Sequence, residues 1–106
     1  MEQSENILDD LPVESEIEKT AEKLKAISHP LRLKILCNLA GSELTVHKIM
    51  QRTGTSQSNI SQHLGHLRDK GIVDSRRDAN KVYYRVGDMR ILNMISMMKD
   101  IYCPSS

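Results

Sequence analysis

Residues 53–71, Thr53-Gly54-Thr55-Ser56-Gln57-Ser58-Asn59-Ile60-Ser61-Gln62-His63-Leu64-Gly65-His66-Leu67-Arg68-Asp69-Lys70-Gly71, read as a turn followed by one helix. Gly54 suits the left-handed conformation that ends a preceding helix. Ser56 is a good N-cap, because its hydroxyl accepts from a backbone N–H two or three residues on. Gly71 closes the helix. Ile60, Leu64 and Leu67 fall at i, i+4, i+7 and form one apolar stripe. Ser58, Gln62, Gly65 and His66 point the other way, with Asn59 and Ser61 on the flanks. A generic solvated face would carry Glu and Lys. This one is neutral, short and rich in donors and acceptors, which suits close approach to base edges and phosphates in a major groove.

The flanking chain supports that reading. With 106 residues and 39% hydrophobic content, there is enough for one small domain with a modest core. Trp and Phe are absent, so the core is Leu, Ile, Val, Met and Ala, a kind often completed by a second copy of the chain. No run approaches the roughly 18 apolar residues of a membrane span, and the N-terminus does not read as a signal peptide, so the cytoplasm is expected and a membrane is not. The net charge of +1 conceals an asymmetry. Residues 1–22 hold eight acids and one base, net −7, whereas residues 23–106 hold six acids and fourteen bases, net +8. The basic part favours a polyanion partner.

In chain order, residues 1–12 read as a flexible acidic arm and residues 13–104 as the folded domain. Val13–Ser28 is a first helix with Ile17, Ala21 and Leu24 on a stripe that Ala26 and Ile27 extend. Pro30, at the first helical position, opens a second helix with Leu33, Leu36, Leu39 and Ala40 on its core face and Cys37 at the edge. Glu43–Thr53 is a short third helix. With the helix after it, this gives a helix-turn-helix. Beyond Gly71 the period changes from helical to alternating: Ile72–Arg77 and Lys81–Val86 form a hairpin with Arg76, Arg77 and Lys81 near its tip. Val82, Tyr84 and Val86 alternate inward. Asp88–Tyr102 is a last helix with Ile91, Ile95, Met98 and Tyr102 on one stripe, widened by Leu92, Met94 and Ile101. The expected fold is mainly α with a β-hairpin, a winged helix-turn-helix in the order ααααββα.

These segments resemble the ArsR/SmtB family of winged-helix repressors. The resemblance rests on Leu24–Leu36 (LKAISHPLRLKIL), Ser56–Leu64 (SQSNISQHL), Gly71-Ile72-Val73 and Val82–Val86 (VYYRV), within about residues 20–103. It implies a homodimer built from the first and last helices, two recognition helices in successive major grooves of a palindromic operator, and an inducer that lowers DNA affinity. Many such proteins bind metal through cysteines on the third helix. Here Thr45 and His47 stand at those positions, and the last helix holds no His for a zinc site of the kind other members use. No metal, no cofactor and no enzymatic activity are expected. The segments around Cys37 and Cys103 resemble the BigR, SqrR, YgaV and HlyU branch. That likeness implies that a persulfide forms on one thiol and is captured by the other, giving a polysulfide bridge within one subunit. A metal- or general oxidant-responsive repressor, an HlyU-like anti-silencing activator and a dimerisation module without DNA binding are the alternatives.

For DNA, Ser58, Gln62 and Asn59 are expected at base edges. Thr55, Ser56 and Gln57 sit at the helix N-terminus, where free N–H groups favour phosphate. Ser61 suits either task, His66 a phosphate, and Arg76, Arg77 and Lys81 form the wing. His29 is expected to support the start of the second helix, His63 to be structural, and His47 to be exposed.

Overall fold

The computed structural model describes residues 13–102. The expected acidic arm, residues 1–12, and Cys103 lie outside them. Five helices and three strands follow in order: α1 (Glu14–Ile27), α2 (Pro30–Leu39), β1 (Leu44–Thr45), α3 (Val46–Thr53), α4 (Gln57–Asp69), β2 (Val73–Asp78), β3 (Lys81–Val86) and α5 (Met89–Tyr102). The chain is a winged helix-turn-helix, mostly helical with a small antiparallel sheet in the order β1-β3-β2.

Side chains start four of the five helices, α2 to α5. The ring Nδ1 of His29 accepts from the Leu31 N–H at 3.2 Å, just ahead of Pro30. The Thr45 hydroxyl accepts from the Lys48 N–H at 3.2 Å, and the Ser56 hydroxyl from the Asn59 N–H at 3.3 Å. Between α3 and α4, Gly54 takes φ +74° and donates its N–H to the Met50 carbonyl at 2.8 Å. That left-handed residue turns the chain sharply enough to set the two helices of the motif against each other.

One core serves all layers. Ile35, Leu36 and Leu39 of α2, Ile49 of α3, Ile60, Leu64 and Leu67 of α4, Ile72 and Val73 leading into β2, and Ile95 of α5 are almost wholly buried. The Arg32 side chain donates to the Ala26 carbonyl at 2.6 Å and ties the end of α1 to α2. Asp88 accepts from the Arg90 N–H at 2.9 Å at the start of α5 and meets Lys23 of α1 at 3.6 Å.

Three details differ from the sequence reading. The third helix begins at Val46 rather than Glu43, because Leu44 and Thr45 pair with Tyr84 and Tyr83 of β3 and Thr45 is spent as the cap. On α2, Leu36 and Leu39 are buried and Leu33 and Ala40 pack against the core as expected, but Ile35 is also fully buried and widens that face. The hairpin tip is tighter: β2 runs through Asp78, and Ala79 (φ +58°) with Asn80 makes the turn. Tyr84 and Val86 do pack against the core, but Val82, nearer the tip, lies beyond it.

Leu64→Ala removes a buried side chain at the centre of this core. It is expected to cost about 2–5 kcal/mol in urea unfolding.

Candidate nucleic-acid interface

Burial of Ile60, Leu64 and Leu67 fixes the rotation of α4, and therefore which residues it offers to solvent. Gln57, Ser58, Ser61, Gln62, Gly65 and His66 are all exposed. Within the described residues nothing requires glycine at position 65: a Cβ there meets no atom within 4 Å. Glycine in an exposed helix nevertheless costs about 1 kcal/mol relative to alanine. Gly65 thus leaves bare backbone in the middle of the exposed face. Asn59 is placed differently from its neighbours. It is half-buried, and its Nδ2 donates to the Thr55 hydroxyl at 3.2 Å, so these two residues brace the turn into α4.

The wing stands beside this face. Antiparallel pairing sets Arg76 opposite Tyr83 and Arg77 opposite Val82. Successive strand residues point to opposite faces, so the two arginines diverge. Arg77 shares a face with Ser75, whose hydroxyl accepts from Arg68 at the end of α4 at 3.3 Å. Arg76 lies on the other face and is engaged there. Its guanidinium donates to both carboxylate oxygens of Glu43, at 2.8–3.0 Å, and sits 4.8 Å from the centre of the Tyr83 ring. The fork of hydrogen bonds, before any other cause, holds the Glu43 carboxyl below its usual pKa and raises that of Arg76. Glu43 had no local signature in the sequence, since its partner is 33 residues away. Lys81 is exposed at the tip, and neither it nor Arg77 has an ion partner among the described residues.

Behind α4, the His63 ring lies 4.7 Å from that of His29, tilted by 44°, so both act inside the fold as expected. Thr45 and His47 give no thiolate site: the first is a cap, and the exposed ring of the second is 3.3 Å from the Gln51 amide. Cys37 is half-buried on α2 and packed against the core. Among the described residues no three His, Cys, Asp or Glu side chains gather closely enough to hold a metal ion, and no helix is long and apolar enough to cross a membrane.

Residues 29–75, from the cap of α2 to the start of the wing, match the family described as bacterial regulatory protein, arsR family. The HTH-type transcriptional regulator YgaV of Escherichia coli is 42% identical over 93 residues, which cover 87% of this chain and 94% of that protein. The chain belongs to the ArsR family. Other ArsR-family relatives extend the likeness. The biofilm growth-associated repressor of Xylella fastidiosa is 34% identical over 86% of this chain and 80% of its own. The transcriptional activator HlyU of Vibrio cholerae is 38% identical over 86% and 88%. A solved structure of HlyU from that organism superposes with a TM-score of 0.81 at 37% identity, covering 86% of this chain and 99% of that one. As an ArsR-family protein, the chain is a transcriptional regulator and not an enzyme.

The surroundings of His63 make the stability of this chain depend on pH. Burial first, then the charges of His29, Arg32 and His66, push the His63 pKa below the usual imidazole value of 6.5. The unfolded chain takes up that proton more readily. This contribution to stability is therefore complete above pH 6.5 and declines as the pH falls from there toward the lower folded value. In urea unfolding between about pH 7.5 and about pH 5, His63→Gln is expected to lose stability less steeply than the wild type.

Proposed function

We propose that the protein is a cytoplasmic, homodimeric repressor that binds a palindromic operator and lets go when reactive sulfur species bridge Cys37 and Cys103. The exposed face of α4 carries this reading: an uncharged row of Ser58, Ser61 and Gln62 beside the bare backbone of Gly65. Ser58 and Gln62 read base edges. Ser61 and His66 meet the rim of the groove. Ser56 and Gln57, at the helix N-terminus, accept a phosphate through free N–H groups. Thr55 and Asn59 hold that turn and touch DNA only from its edge. Arg77 and Lys81 follow the backbone from the wing.

Dimerisation is supported by apolar surface that one protomer does not cover. Ile17 and Leu24 of α1 are each 47% exposed, and Met97 and Ile101 of α5 are 71% and 79% exposed. A second copy that buries both helices places two α4 helices for successive major grooves. Likeness to the biofilm growth-associated repressor of Xylella fastidiosa supports repression. Likeness to the transcriptional activator HlyU of Vibrio cholerae favours a second reading, an activator that uses the same DNA interface.

The sensing step follows from thiol chemistry. Each cysteine thiolate attacks the outer sulfur of a low-molecular-weight persulfide, forms a protein persulfide and releases the small thiolate. The outer sulfur of one protein persulfide then displaces hydrosulfide from the other and leaves a trisulfide. A plain disulfide needs Cα atoms within about 7 Å, and the extra sulfur relaxes that limit. Such a bridge ties α2 to the chain beyond α5, and so links the core beside α4 to the dimer contact. A coupling of about 5–150-fold in affinity makes a usable switch.

Intact mass and operator binding after treatment with an organic persulfide, a peroxide or zinc test this directly. A cross-link that retains extra sulfur, formed only with persulfide, lost in Cys37→Ser and matched by DNA release, is expected. Equal release by peroxide would indicate a general thiol switch, and release by zinc alone a metal sensor.

A further inference from the structure

We infer that Arg76 is not a DNA contact but a positioning residue, one half of a clamp with Glu43 that sets the angle of the wing against the recognition helix. The inference rests on the DNA-binding reading above and goes beyond it by separating the wing's cations into two roles.

The register places the clamp. Thr45, Tyr83 and Arg76 are direct neighbours across β1, β3 and β2. Glu43 lies two residues before Thr45, so it falls on the same face. The Arg76 side chain crosses the Tyr83 ring and ends on the Glu43 carboxylate with three hydrogen-bond distances of 2.8–3.0 Å. Asp78 lies 3.8 Å from its remaining nitrogen. One guanidinium thus spans all three strands. Most exposed ion pairs contribute little, but a bidentate fork on a carboxylate is the geometry in which they do. The Arg76 side chain is 49% exposed and that of Glu43 30%, so solvent screens the pair without separating it.

Two consequences follow from where the ends of the clamp sit. Glu43 immediately precedes the strand that runs into the Thr45 cap of α3, so Arg76 ties the wing to the first helix of the DNA-binding motif. The Arg76 charge is also offset by Glu43 and Asp78, whereas Lys81, on the same face at the tip, and Arg77, on the opposite face with Ser75, have no ion partner among the described residues. The fork takes Nε–H and Nη2, and Asp78 lies beside Nη1, so the guanidinium faces carboxylate on both sides.

The experiment has one arm without DNA and one with it. In the free protein, the Arg76 Nε–H is expected as a protected NMR signal that disappears in Glu43→Gln; no such signal in the wild type would overturn the clamp. With operator DNA, Glu43→Gln, Arg76→Gln and Arg76→Lys are each expected to weaken binding about threefold to tenfold, with no further loss in Glu43→Gln/Arg76→Gln. Lysine fails because it keeps the charge and loses the fork. None of the three is expected to change the salt dependence, whereas Arg77→Ala lowers its slope by about two for the dimer. Tighter binding by Glu43→Gln, a lowered slope in Arg76→Gln, or full binding by Arg76→Lys would overturn the inference. A wild type that shows the protected signal but binds no DNA would overturn the DNA-binding reading, and with it this role.

Discussion

The burial of Ile60, Leu64 and Leu67 is the constraint from which the rest follows. These three side chains sit in one core with Ile35, Leu36, Leu39 and Ile49, so α4 has a single rotation about its axis. Its outward residues are then no longer a choice. Ser58, Gln62, Gly65 and His66 are exposed because the opposite face is anchored. The caps at Thr45 and Ser56 and the left-handed Gly54 set where α3 and α4 begin and how they meet. The same core carries the wing, since Ile72 and Val73 enter it directly from the end of α4.

Local signals made much of this readable from the chain. A cap, a period and a glycine turn all fall within residues 53–71, and a helix is decided by neighbours three and four residues apart. The hairpin was legible through its alternation. β1 was not, because two residues show no period and the strand exists only by pairing with Tyr83 and Tyr84. The full width of the buried side of α2 was hidden for a related reason: apolar residues at 31, 33, 35, 36 and 39 leave it with no single face, and only packing shows that Ile35 is buried too. Grouping Arg76, Arg77 and Lys81 as one basic tip was a statement about sequence proximity. The pleat sends adjacent arginines to opposite faces, and Glu43, far off in the chain, captures one of them.

A division of labour emerges across the domain. The centre is apolar and carries α4. The outer face of α4 is polar but uncharged. Positive charge without an ion partner among the described residues sits on the wing at Arg77 and Lys81, and in the proposed regulator it strengthens binding without naming a sequence. Among the described residues, the large exposed apolar side chains lie on or beside α1 and α5, and none is on α4. In the proposed regulator, Cys37 lies where these regions join, on the helix that packs between the core and α5. A bridge formed there acts on the distance between two recognition helices rather than on either helix itself.

That spacing is the quantity to measure. Methylation protection of guanine N7, which faces the major groove, on DNA from upstream of the protein's own gene reports it directly. Two protected clusters, symmetric about a palindrome and separated by about 10 base pairs, are expected for a dimer with paired recognition helices. A single cluster, or binding with no major-groove protection, would contradict it.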